Sequence, residues 1–303
     1  MFELPKRKHL VHKPVEFRNL CAEAKKRIVS VSNDQYIWQL KYDGCHAILI
    51  KQGDKCWTYS REGNLVKSMD HVENEFVFEN MQDGVYFGEA WNAHCTFPQI
   101  SGMFRRQYTE CNDRTGTLQY IVFDRVTLEE FTTGVSNESY GERWRKLHDD
   151  LTTAEAAHFR PALSFVYSDK EFDASEARLV QAREHCICGT DGYIAKRIGG
   201  DWTAGDGKKG QTIKVKDHIS VDLLCVAVEE GKGKFAGMIG SLLVEWKGQV
   251  VPVSGGKLTN DERANIQLCG KIVEVHALGL TPDGQLREPR YQRIRHDKTE
   301  PSE

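Results

Sequence analysis

Residues 36–51 read YIWQLKYDGCHAILIK: two apolar runs, 36–41 and 45–51, broken at Tyr42-Asp43-Gly44. Short apolar or alternating runs parted by Gly, Asp and Asn are the sequence form of strands and their turns. KCWTYS (55–60), VYFGEAW (85–91) and LQYIVFD (118–124) read the same way. Helical periodicity is confined to about 66–80, 139–158 and 171–186. The class is therefore α+β, dominated by antiparallel strands. A second character begins at Ile219, where ISVDLLCVAVEE, SLLVEWKG, VVPVSGG and KIVEVHALG are joined by Gly-rich turns, with a short helix expected at 259–268. About five strands in so short a span suit a small barrel of the oligonucleotide-binding (OB) type. The intervening DGKKGQTIKVKDH (206–218) reads as a hinge, so the expected domains are 1–218 and 219–303.

Composition agrees with two ordinary domains. The chain has 303 residues, 40% hydrophobic and 28% charged, enough apolar material for real cores. That balance excludes a disordered, collagen-like or membrane-embedded chain, and no apolar run approaches the length of a membrane span. A net charge of −3 gives no bulk signal for a polyanionic partner, but local clusters matter more. Residues 1–30 hold eight Lys and Arg against three Glu, and residues 287–298 five against two acids. The nine cysteines are irregularly spaced and the N-terminus lacks an apolar signal region, so an unexported chain with reduced thiols is expected.

Lys41-Tyr42-Asp43-Gly44 stands where one strand ends and the next begins. Such a lysine is a nucleophile only if burial or nearby positive charge leaves it partly deprotonated. Gly44 would let the backbone approach a ligand closely. Alone the pattern is weak, and an exposed turn lysine explains it as well. Four further clusters follow in order: Ser60-Arg61-Glu62-Gly63; Gly88-Glu89; Phe123-Asp124; and Asp191-Gly192-Tyr193-Ile194-Ala195-Lys196 running on to Lys214-Val215-Lys216. Converging strands would gather cations for phosphate, carboxylates for ribose and metal, and a ring for a base, the parts of a nucleotide site.

This ordered set resembles the nucleotidyltransferase motifs of the ATP-dependent DNA ligases, of the covalent nucleotidyltransferase superfamily. Leu286-Arg287-Glu288-Pro289-Arg290-Tyr291 with Arg295-His296-Asp297-Lys298 is similar to the family's last motif. Gly231-Lys232-Gly233-Lys234 and Gly237-Met238-Ile239-Gly240-Ser241-Leu242 look like the opening of its OB domain. The resemblance runs from about 36 to 298. It implies an adenylation domain of ATP-grasp-like antiparallel sheets followed by an OB-fold barrel, sealing 5′-phosphate/3′-hydroxyl nicks in duplex DNA through a lysyl-AMP and an adenylated DNA.

Carried over by position, Lys41 would attack the α-phosphate of ATP, with Lys214 and Lys216 contacting that phosphate. Gln39 and Leu40 would contact ATP, Gln39 reading the adenine amine, while Phe123 would stack on adenine. Glu89 would accept from the ribose hydroxyls and, with Asp191, serve a Mg²⁺ ion, Mn²⁺ being an alternative. Arg61 would hold the 5′-phosphate of the nick and lie near ATP. Arg295 and Lys298 would meet the leaving pyrophosphate. Arg105, Arg106, Lys208 and Lys209 are the expected DNA contacts, though each pair also suits a plain solvated surface.

Three positions depart from the family pattern. His46 stands in an ATP-contacting place where Arg is usual, Phe87 where an acid is usual, and Asp191 where Glu is usual. His185, Cys186 and Cys188 invite a zinc site, but no second Cys pair stands at finger spacing. Only 40 residues precede Lys41, too few for the helical DNA-binding domain of large ligases, and a compact phage, viral or accessory bacterial form is expected. The expected partner is nicked duplex DNA met by a monomer, with replication or repair proteins as candidate associates. The expected compartment is the cytoplasm, or alternatively the nucleus. The rival readings are an RNA ligase, an mRNA guanylyltransferase and a non-catalytic DNA-end-binding relative.

Overall fold

The Asp43-Gly44 turn carries the chain from one sheet into another. Tyr36–Tyr42 lies within a five-stranded sheet and Cys45–Gln52 within a six-stranded one. The structure, a computed structural model, describes all residues except 17–18, 25–35, 107–117, 157, 163, 166–189, 216–218, 282 and 303. It divides into two compact units, Met1–Lys216 and Asp217–Glu303.

In the first unit, Cys45–Gln52 is flanked by Lys55–Ser60 and Gly84–Trp91. Ala47, Ile48, Leu49 and Ile50 are all fully buried. Both faces of this strand are covered, which is why its sequence is continuously apolar instead of alternating. Gln119–Val126 extends the sheet beyond Gly84–Trp91, and Phe159–Pro161 closes that edge in parallel. The five-stranded sheet runs Ser164–Phe165, Tyr36–Tyr42, Thr190–Arg197, Thr212–Val215 and Val15–Glu16, the last pair again parallel.

Helix Tyr140–Thr153 buries Tyr140, Arg143, Trp144, Leu147 and Leu151, a helical stripe laid on the core. A capping box at Ser139 and Glu142 starts it. Helix Asp70–Phe78 packs Val72 and Phe76 beneath the six-stranded sheet. Two further helices, Phe97–Phe104 and Leu128–Thr133, went unread in the sequence. The second is short, yet its Thr127…Glu130 capping box was a readable signal. The helix expected at 171–186 lies outside the described residues.

The hinge reading of 206–218 needs correction. Thr212–Val215 is a strand paired on both sides, with Ile213 fully buried. An alternating Thr-Ile-Lys-Val segment presents an apolar residue to the core, and the glycines around it mislead. Only 216–218 within that stretch lies outside the described residues.

The second unit is a closed five-stranded barrel in the order Ile219–Glu230, Ile239–Trp246, Gln249–Ser254, Arg290–Ile294 and Ile272–Ala277. Leu223, Leu242, Val244, Val253, Val273 and Val275 fill it without exposure. The fifth strand, Arg290–Ile294, escaped notice because its alternation is hidden among charged residues. Among the described residues no helix is long and apolar enough to cross a membrane.

Candidate active site

Alternation along Tyr36–Tyr42 puts Gln39 and Lys41 on one face and Leu40 on the other. Leu40 is 3% exposed and belongs to the apolar core, so its side chain is turned away from any ligand beside Lys41. Ile194 lies opposite Gln39 on one side and Lys214 on the other. Residues directly opposed in an antiparallel ladder project to the same face. Gln39, Lys41 and Lys214 therefore share a face, and so does Lys196, which is paired with Ile37 and Thr212.

The ladder is interrupted opposite the lysine. Thr190 pairs with Tyr42 and Tyr193 with Leu40, so Asp191 and Gly192 together face the single residue Lys41. Gly192 adopts φ +115°, a conformation that costs side-chain-bearing residues dearly. The bulge thus brings the Asp191 backbone beside Lys41, while its side chain lies outside what the structure describes. Lys216 is also outside the described residues.

A second row comes from the six-stranded sheet. His46 is paired with Glu89, and Glu89 with Ile121. Arg61 follows Ser60, which is paired with Ala47, so it borders the same row. Arg61 is largely exposed and paired to Glu62 at 3.1 Å. Phe123 meets His46 edge-on, centroids 5.5 Å apart. The two sheets are joined here by Lys196, whose Nζ lies 4.5 Å from the Phe123 ring centroid.

Gly44 is required by the packing of the chain itself. A Cβ there would come within 2.3 Å of the Ala90 carbonyl and 2.9 Å of Glu89 Cγ. The close approach is to the chain's own Glu89 strand, and it is what seats Glu89 beside the Lys41 turn.

Burial, reinforced by the charges of Arg61 and Lys196, pushes the His46 imidazole down to about 3. It is neutral at any working pH, so it cannot supply the cation that an arginine would. Its Nδ1 is buried and finds no hydrogen-bond partner among the described residues. An unsatisfied buried nitrogen in this row is suited to a ligand hydroxyl or a water. Beneath Phe123 lies a buried ionic cluster. Arg143 grips Asp124 through Nε at 2.9 Å and Nη2 at 3.1 Å, and Lys196 stands 3.7 Å from the same carboxylate. Burial would raise the Asp124 carboxyl, but Arg143 and Lys196 outweigh it and hold it below the usual range. Burial pushes Lys196 down to about 8 against the pull of Asp124. Sequence pattern gives Asp124 and Lys196 no role of their own. Arg143 and Tyr140 carried only one faint sign, a charged residue on the apolar stripe of a helix.

The other expected contact residues lie elsewhere on the two units. Arg105 and Arg106 end helix Phe97–Phe104, Arg105 exposed and Arg106 partly covered. Lys208 and Lys209 lie exposed in the turn before Thr212–Val215. Arg295 and Lys298 belong to the barrel unit, where Asp222 gathers them. Its Oδ2 accepts from Arg295 Nη1 at 2.7 Å and from Lys298 Nζ at 2.6 Å. Arg295 also forks onto Asp297 at 2.9 and 2.7 Å, and this pairing holds the Asp297 carboxyl well below the usual carboxylate range. The two cations are thus matched by two carboxylates, and Asp222 is a partner that sequence gave no reason to choose. Among the described residues no three His, Cys, Asp or Glu side chains form a metal cluster. His185, Cys186 and Cys188 lie outside them.

Residues 230–295 match the family model described as DNA ligase OB-like domain. The DNA ligase of Methanoculleus marisnigri is 29% identical over 299 residues, covering 86% of this chain and 51% of that protein. The DNA ligase of Thermococcus fumicolans is 25% identical over 304 residues, covering 86% and 52%. The chain spans about half the length of the curated relatives it matches. Among solved structures, a Lig E DNA ligase superposes with a TM-score of 0.69 at 21% identity, covering 93% of this chain and 99% of that one. The ATP-dependent DNA ligase of bacteriophage T7, in complex with ATP, gives 0.53 at 17%, covering 94% and 98%. The fold is that of these DNA ligases, a two-sheet unit followed by an OB-type barrel.

Proposed function

We infer that this chain is the two-unit catalytic core of an ATP-dependent DNA ligase, sealing 5′-phosphate/3′-hydroxyl nicks in duplex DNA. The observation that carries the reading is one of place. Lys41 sits at the turn joining two sheets, with Gln39 and Lys214 on its own face and the Arg61–His46–Glu89 row and Phe123 on the adjoining sheet.

In this reading the Lys41 amine attacks the α-phosphorus of ATP. A P–N bond forms, the bond to the bridging oxygen breaks, and pyrophosphate leaves. Phe123 stacks on the adenine, Gln39 lies at its edge, and Glu89 accepts from the ribose hydroxyls. His46, neutral, offers Nδ1 to a hydroxyl or a water where an arginine would have offered charge. Lys214 and Lys216 bind the α-phosphate, and Arg295 and Lys298 bind the leaving pyrophosphate. Phosphoryl transfer is mostly positioning and charge neutralisation, which this inventory supplies.

AMP then passes to the DNA 5′-phosphate, held by the fork of Arg61 with Arg105, Arg106, Lys208 and Lys209 along the backbone. The 3′-hydroxyl attacks that phosphate and AMP departs. Hard carboxylate oxygens on Glu89 and Asp191 are the right donor type for Mg²⁺. When bound, the ion would neutralise charge on the phosphates.

Intact mass after incubation with ATP and Mg²⁺ tests the reading: a single AMP adduct is expected on the wild type and none on Lys41→Ala. An adduct surviving that substitution removes Lys41 as nucleophile. A GMP adduct from GTP would make the chain a guanylyltransferase, and sealing of nicked RNA in place of nicked DNA an RNA ligase.

A further inference from the structure

Phe123 occupies a bulge. Gly88 pairs with Val122 and Phe87 with Asp124, so Phe123 has no opposite residue on Gly84–Trp91. A bulge re-aims a side chain but takes the extra residue's peptide out of the regular ladder, which leaves its orientation to other contacts. Those contacts come from two separate elements. Lys196 Nζ, from the five-stranded sheet, donates to the Phe123 carbonyl at 2.8 Å. Tyr140 Oη, from the first turn of its helix, donates to the same carbonyl at 3.0 Å.

Both donors are buried, Lys196 at 4% and Tyr140 at 2% exposure. The ammonium also lies 4.5 Å from both ring centroids, that of Phe123 and that of Tyr140. Asp124, next along the chain, is fixed by Arg143 and adjoins the same ammonium. Buried ions are costly, and an apolar filling would serve stability as well or better. A lysine retained at this depth therefore calls for a reason, and the carbonyl it holds supplies one.

We propose that Lys196 and Tyr140 are positioning residues that clamp the bulged Phe123 carbonyl and thereby aim the Phe123 ring at the nucleotide base. The proposal rests on the preceding reading, in which Phe123 is the base platform. Neither clamp residue needs to touch ATP. Loosening the clamp weakens stacking while leaving the phosphate contacts alone.

The test uses the full chain and five variants: Phe123→Ala, Tyr140→Phe, Lys196→Met, and each of the last two combined with Phe123→Ala. Each single substitution is expected to raise the KM for ATP in lysyl-adenylate formation roughly tenfold, within the range a lost base–aromatic stack covers, with kcat little changed. In the Phe123→Ala background the same substitutions should add less than about twofold, because the ring they aim is gone. Tripolyphosphate, which has phosphates and no base, should inhibit wild type and variants equally. Tyr140→Phe removes one hydroxyl and keeps the ring, so it carries the test where Lys196→Met does not fold; because the same hydroxyl bonds the Gln39 side chain, the comparison is repeated in Gln39→Ala, where the KM effect should persist. A KM effect that persists undiminished without Phe123 overturns the clamp. So do an unchanged KM in both single variants and an equal weakening of tripolyphosphate inhibition. A wild-type chain that takes no adenylate refutes the ligase reading instead. The clamp is then judged by ATP binding in calorimetry across the same five variants, with the same pattern required.

Discussion

Glu73 gives the most quantitative prediction. It projects from helix Asp70–Phe78 onto strand Lys55–Ser60, where a carboxylate oxygen accepts the Thr58 backbone N–H at 2.6 Å. Burial pushes its carboxyl from an ordinary 4.5 up to about 7, only partly offset by the bonds from Thr58. The folded state thus keeps a proton that the unfolded chain has already released. Between pH 4.5 and 7 the native form binds more protons, so stability falls as pH rises. At 1.36 kcal/mol for each tenfold in proton affinity, the cost reaches roughly 3 kcal/mol by pH 8 and is absent below pH 4.5. Glu73→Gln removes the titration and keeps an acceptor for Thr58. Urea unfolding followed by tryptophan fluorescence reports the first unit, which holds Trp38, Trp57, Trp91, Trp144 and Trp202, while Trp246 alone lies in the barrel. Other titrating groups cancel when the variant is compared with wild type at each pH. The stability difference should therefore move in favour of the variant by roughly 3 kcal/mol between pH 4 and pH 8. A difference that stays flat across that range, or moves the other way, would refute a buried, proton-retaining Glu73.

Three further outcomes are expected. Arg143→Met leaves the buried Asp124 carboxylate with Lys196 and the Arg125 backbone N–H, and urea unfolding should show a loss of about 3–5 kcal/mol; a loss under about 1 kcal/mol would mean that water reaches the cluster. Arg295→Ala should slow adenylation by ATP while sparing the sealing of nicks that already carry AMP, because the proposed contact is to the leaving group; equal losses in both assays remove that role. Arg61→Ala should impair steps on nicked DNA more than nucleotide loading, and an unaffected sealing rate would exclude its hold on the 5′-phosphate.

Much of this molecule is legible in its sequence, and the reason is periodicity. The runs around Lys41, Ser60, Glu89 and Asp124 became strands because alternating or continuous apolar residues have few other ways to be buried. The Gly-punctuated runs after Ile219 became a barrel for the same reason. Residue type and order singled out Lys41, Arg61, Glu89, Phe123 and Lys214; the first and last share a face of the five-stranded sheet, and the other three belong to or border the six-stranded one.

Tertiary structure alone decided the rest. Sequence order cannot reveal that the helix residues Tyr140 and Arg143 reach a carbonyl and a carboxylate on a strand well before them, nor that Asp222 gathers Arg295 and Lys298. It names Leu40 among the ATP contacts, and only the packing shows that its side chain lies in the core. It gave Gly44 to a ligand, whereas the missing Cβ makes room for the Ala90 carbonyl. Local pattern records what a residue does for its own strand or helix. Partners that arrive from distant elements leave no period behind them, because a buried charge is satisfied by whichever group the packing brings within reach.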